Sequence, residues 1–104
     1  QGLSDLLADG EDFDAIICSS DTLAQGVMIE AAARGLAVPK QLAVMGFGDL
    51  DFAAHSTPTI TTVRVDRWKI GTDAAAMLAE KIEGKSVPSP IVDIGFSLIE
   101  RESA

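Results

Sequence analysis

Apolar positions along the chain change their period several times. Leu3, Leu6 and Leu7 share one face at helical spacing until Gly10 breaks the run, so residues 1–9 are expected to be the end of a helix. Ala15-Ile16-Ile17-Cys18 is a short apolar run without alternation, the pattern of a parallel strand buried on both faces. It stops abruptly at Ser19, Ser20 and Asp21, whose oxygens suit the start of a helix. Leu23, Ala24, Val27, Met28, Ala31 and Ala32 then form one stripe, and Gly35 stands where a left-handed stop is needed. Leu42-Ala43-Val44-Met45 repeats the buried-strand pattern before Gly46-Phe47-Gly48-Asp49, which completes a βαβ unit with a parallel pair.

The second half is predicted in the same way. Residues 50–55 allow a short helix, and the β-branched stretch Thr59–Val65 predicts a third strand that begins after Pro58. Ile70, Ala74, Met77, Leu78 and Ile82 make a second helical stripe, with Asp66 as its cap and Gly84 as its stop. Ile91–Ile94 and Phe96–Ile99 read as one interrupted strand or two short ones, with Gly95 as a bulge. No internal repeat or low-complexity segment interrupts this order.

Composition narrows the picture. A chain of 104 residues suits one domain, since two independent cores need roughly 150 residues or more. Eight Lys and Arg against sixteen Asp and Glu, with no basic cluster, leave no footprint for a phosphate backbone, so these residues are not expected to bind DNA themselves. The single Cys18 allows no disulfide framework and no Cys-based metal site, and a reduced cytoplasm is the expected compartment. No apolar stretch reaches the ~18 residues of a membrane span. Gln1 is not an initiator Met and the pattern starts within a helix, which predicts a piece of a longer chain.

Two successive strands deliver small and acidic residues, Ser19-Ser20-Asp21 and Gly48-Asp49-Leu50-Asp51, to the carboxyl edge of the expected sheet. Ligands of open α/β sheets bind at that edge. Carboxylates and hydroxyls beside Phe47 and Phe52 suit a sugar-like molecule, although helix capping alone explains Ser20 or Asp21 equally well. Hydrolase chemistry is disfavoured: G-x-S-x-G is absent and the lone His55 has no context that marks a general base. Gly46-Phe47-Gly48 lacks the third glycine of a dinucleotide-binding turn, because Asp51 occupies that place. One histidine among scattered carboxylates has no metal-ligand spacing, and no metal or cofactor is expected. Trp68, between Arg67 and Lys69, either stacks on a ligand or fills a contact.

The run Asp14–Gly26 resembles a segment of LacI/GalR transcription regulators, an aliphatic strand followed by Asn-Asp and a helix with Ala and Gly, except that Ser20 takes the Asn place. Arg34-Gly35-Leu36-Ala37-Val38-Pro39 and then Leu42–Asp49 are similar to the family's turn, strand and Gly-Phe-Asp-Asp segment, with Gly48 in place of the first Asp. Thr57-Pro58-Thr59-Ile60-Thr61-Thr62-Val63-Arg64 matches its Pro-x-Leu-Thr-Thr-Val element, and the resemblance covers about residues 13–84. It implies an α/β fold of the type I periplasmic-binding-protein kind, a parallel sheet flanked by helices and mostly the C-terminal lobe of a two-lobe module. Residues 1–63 would belong to that lobe, 64–85 would be a crossover helix packed on an absent N-terminal lobe, and 86–104 would return. Exposed alone, the apolar stripe of that helix would favour repacking or a domain-swapped oligomer.

The resemblance further implies an effector-responsive repressor rather than an enzyme, with operator contact through an upstream helix-turn-helix head. Carried over position by position, effector contacts fall on Ser20, Asp21, Gly48 and Asp49, and on Arg67 where relatives often carry an aromatic residue. A homodimer would use the helix after Asp21 and the segment Phe52–Ser56, through Gln25, Phe52, His55 and Ser56. The departures at Ser20 and Gly48 remove polar contacts to neutral sugars. The ending Val92–Leu98 resembles gluconate-operon repressors, which makes a sugar acid the expected effector. The rival expectation is a lobe of a periplasmic sugar-binding protein serving a transporter, which shares the fold.

Overall fold

The computed structural model describes residues 1–104. In chain order it contains α1 (Gly2–Ala8), β1 (Ala15–Ile17), α2 (Asp21–Ala33), β2 (Ala43–Phe47), a short 3₁₀ helix (Asp51–Ala54), β3 (Thr61–Arg64), α3 (Arg67–Ile82) and β4 (Ser97–Ile99). They divide into two compact units, Gln1–Arg64 with Leu98–Ala104, and Val65–Ser97. Residues 86–97 fall in the second unit and 98–104 in the first.

The first unit carries a sheet in the order β1-β2-β3-β4. β1 and β2 are parallel with Ile16 opposite Val44, and β2 and β3 are parallel with Met45 opposite Thr61. Parallel neighbours need a crossover, and α2 supplies the first one. Ser20 caps α2, and Gly35 at φ +73 ends it. Ala24, Met28 and Ala31 of α2 meet Cys18, Leu42, Val44 and Ile60 in the core, which Leu3 of α1 and Ala53 of the 3₁₀ helix complete. Leu23 and Ala32, expected on the same stripe, lie outside it and are exposed.

Two expectations are corrected. β1 is not buried on both faces: it is the outermost strand, and Ile17 is 76% exposed. Ile91–Ile94 forms no strand, and Gly95 is not a bulge but lies outside any strand at φ +71, its N–H donating to Asp93 Oδ1 at 2.8 Å. A side chain that bonds its own backbone two residues on offers the chain an alternative to a ladder.

In the second unit α3 starts where Asp66 Oδ1 accepts from the Lys69 N–H at 2.9 Å, and Lys69 Nζ pairs with Asp73 at 2.8 Å one turn on. None of its residues is buried. Its apolar side chains Ala74, Met77 and Leu78 line a groove of about 690 Å³ together with Val87 and Pro90. No helix of the chain is long and apolar enough to cross a membrane.

Candidate functional site at the carboxyl edge of the sheet

The ends of β1 and β2 meet through Asp21, the first residue of α2. Its side chain is fully buried. Oδ2 accepts the Leu50 N–H at 2.7 Å and Oδ1 accepts the Thr62 hydroxyl at 2.6 Å. One carboxylate therefore ties the start of α2 to the loop after β2 and to the middle of β3. This close approach explains Gly46: a Cβ there would collide with the Asp21 carboxylate and stand 3.0 Å from its Cα. Close packing, rather than turn geometry, is what this glycine serves.

The loop itself needs left-handed backbone. Gly48 sits at φ +116 and Asp49 at φ +50. Glycine takes such a conformation freely, whereas a side-chain-bearing residue such as Asp49 needs support to hold it. The support is visible. Gly48 N–H donates to the Val63 carbonyl at 2.8 Å and Asp49 N–H to Thr62 Oγ1 at 3.3 Å. The Asp49 carboxylate is then held from two sides, Oδ2 by Arg64 Nε at 2.6 Å and Oδ1 by Arg101 Nη2 at 2.8 Å. Burial acts to raise the Asp49 carboxyl, but the hydrogen bonds and charges of Arg101 and Arg64 outweigh it and hold it below the usual aspartate value.

Ser20 is half-buried and its Oγ accepts the Leu23 N–H at 3.2 Å, so the capping role is realised. The Leu50 N–H bond to Asp21 joins the head of α2, which Ser20 caps, to the loop that carries Gly48 and Asp49. Ser20, Asp21, Gly48 and Asp49 are thus assembled within the first unit. Arg67 is an exposed first residue of α3 in the second unit. Of the residues expected at a dimer contact, Gln25 is half-buried on α2, His55 is exposed after the 3₁₀ helix, and Phe52 packs partly against the core. Ser56 Oγ donates to the Pro58 carbonyl at 2.8 Å. No group of three His, Cys, Asp or Glu side chains is placed to hold a metal ion.

Sequence reasoning missed Thr62, Arg64 and Arg101 as parts of this site. Thr62 was legible as a β-branched strand residue and as part of the Thr-Thr-Val element, neither of which gives it a partner at this edge. Arg101 lies 52 positions beyond its partner Asp49, and no local pattern links them.

Residues 3–104 match the model of the periplasmic binding protein-like domain. The chain is 42% identical over 98 residues to the HTH-type transcriptional regulator GntR of Pseudomonas aeruginosa, covering 94% of this chain and 29% of that protein. Among solved structures, the transcription regulator GntR from Chromobacterium violaceum superposes with a TM-score of 0.87 at 42% identity, over 97% of this chain and 37% of the other. A complex of the transcriptional regulator CelR with cellobiose gives a TM-score of 0.92 at 28% identity, over 98% of this chain and 31% of that one. The chain belongs to the periplasmic binding protein-like domain family, and the proteins it is similar to here are transcription regulators. It spans about 29% of the length of this curated relative, a transcriptional regulator.

Proposed function

We propose that these residues are the effector-binding and dimerising portion of a bacterial transcription repressor that responds to a sugar acid such as gluconate and works in the cytoplasm. The observation that carries the reading is the preassembled carboxyl edge. Ser20, Gly48 and Asp49 offer the effector hydroxyl, backbone and carboxylate groups, and Asp21 fixes the loop from beneath. Arg64, with a side chain 53% exposed beside Asp49, supplies positive charge at that edge in a chain of net charge −8. Operator DNA is reached through a helix-turn-helix head outside these residues, and the α3 stripe is covered by an N-terminal lobe that they do not include. The absence of any buried residue in α3 supports that cover.

In this scheme the effector biases an open–closed equilibrium of two lobes, and the bias cannot exceed its differential affinity for the two states. Dimerisation uses Gln25, Phe52, His55 and Ser56. A full-length protein that stays dimeric with Gln25→Arg or Ser56→Arg would remove that assignment. The effector is tested by calorimetric titration of the full-length protein with gluconate and a panel of neutral sugars. Saturable binding of gluconate in preference to neutral sugars is expected, and binding of none of them would sink the sugar-acid reading.

A further inference from the structure

The C-terminal residues are built into the sheet beside the effector loop. Ser103, fully buried, donates from Oγ to the Val44 carbonyl at 2.6 Å and accepts the Thr61 N–H at 2.9 Å. Its own backbone bonds β2 and the segment leading into β3, with its carbonyl accepting Val44 N–H at 2.8 Å and its N–H donating to the Thr59 carbonyl at 3.0 Å. Two residues earlier, Arg101 N–H donates to Thr61 Oγ1 at 2.9 Å. The tail is therefore fixed to β2 and β3 before its guanidinium is considered.

That guanidinium forks. Nη1 donates to the Ile60 carbonyl at 2.9 Å and Nη2 donates to Asp49 Oδ1 at 2.8 Å. Its side chain is 15% exposed, against 53% for Arg64, the other partner of Asp49. A charge-assisted bond shielded from water is less screened than one at the surface, and a planar fork fixes direction as well as distance. Of the two arginines, Arg101 is thus the one that can set the geometry of Asp49, a residue whose φ of +50 needs holding.

We infer that Arg101 is a positioning residue for effector recognition, through which the C-terminal segment locks Asp49 and with it the loop after β2. This rests on the reading of that loop as the effector site. Arg101 does not touch the effector itself: it keeps the carboxylate in place so that binding does not have to order it.

A double-mutant cycle tests this in the full-length protein. Arg101→Met and Asp49→Asn are made singly and together, with Arg101→Lys to keep the charge without the fork and Arg64→Met for comparison. Melting temperature without ligand and gluconate affinity by calorimetry are read for each. Arg101→Met should weaken gluconate at least ten-fold, Arg101→Lys should recover only part of the loss, and Arg64→Met should lose less. In the Asp49→Asn background Arg101→Met should add little to either readout. Strictly additive losses, or gluconate affinity unchanged in Arg101→Met, would overturn the role while leaving the sugar-acid reading intact. Coupling in melting temperature with no gluconate binding by the unmodified protein would instead refute the sugar-acid reading, and the effector role of Arg101 with it.

Discussion

The two units carry similar local signals and bury very different amounts of them. α2 and α3 both begin at a side-chain cap and both present an apolar stripe at helical spacing. α2 buries Ala24, Met28 and Ala31 within its own unit, while α3 buries nothing, leaving Leu78 59% and Ile82 77% exposed. Helical spacing therefore reports which face is apolar and not what covers it. Helices draw most of their stability from a covered face rather than from propensity, so the first unit should hold nearly all of the chain's resistance to unfolding.

Substitutions in each unit put numbers on that contrast. Ile60→Ala removes a fully buried side chain from the core of the first unit and should cost about 3–4 kcal/mol in urea denaturation. A loss below 1 kcal/mol would mean that this core is not the stable part. Gly46→Ala drives a methyl group into Asp21 and should cost about 2 kcal/mol or more. Gly71→Ala on α3, where an added Cβ meets nothing within 4 Å, should do the opposite and stabilise the helix by about 0.5–1 kcal/mol. Leu78→Ala in these 104 residues should change stability by under about 0.5 kcal/mol. The same change in the full-length protein should cost about 2 kcal/mol if an N-terminal lobe covers it. Equal values in both would break the proposal that α3 has a partner.

Acid sharpens the comparison further, because the titrating contact at the site lies only in the first unit. Asp49 is held below its usual value despite its burial, by Arg101 and Arg64. A group with a lowered folded-state value contributes fully above its unfolded value and loses that contribution as pH falls through the folded one. Unmodified protein and Asp49→Asn should therefore differ most in stability near neutral pH and converge in acid. A difference that stays constant down to strongly acid pH would contradict the paired carboxylate.

Much of this was readable in advance, for identifiable reasons. The βαβ unit, both caps and the stops at Gly35 and Gly84 follow from local chemistry: periodicity, capping oxygens and glycine at positive φ. The edge that holds Ser20, Asp21, Gly48 and Asp49 followed from where apolar strands end. What local chemistry could not supply was the state of each group. Asp21 offered itself as a ligand contact or a cap, and in the structure it is a buried tie whose partners Leu50 and Thr62 lie 29 and 41 positions away. Gly46 is required by that tie rather than by a turn. The exposure of Ile17 depends on β1 being outermost in the sheet, and Asp93 claims the Gly95 N–H where a bulge was expected. Each of these depends on a tertiary neighbour or on a competing side-chain hydrogen bond that periodicity does not encode.

The central claim is that effector binds at the carboxyl edge of the first unit. Amide hydrogen exchange of the full-length protein, measured with and without saturating gluconate, locates that contact directly. Slowed exchange at residues 19–23 and 46–50, with α1 unchanged, is the predicted result. Gluconate binding with protection confined to other segments, and none at either of these two, would contradict it.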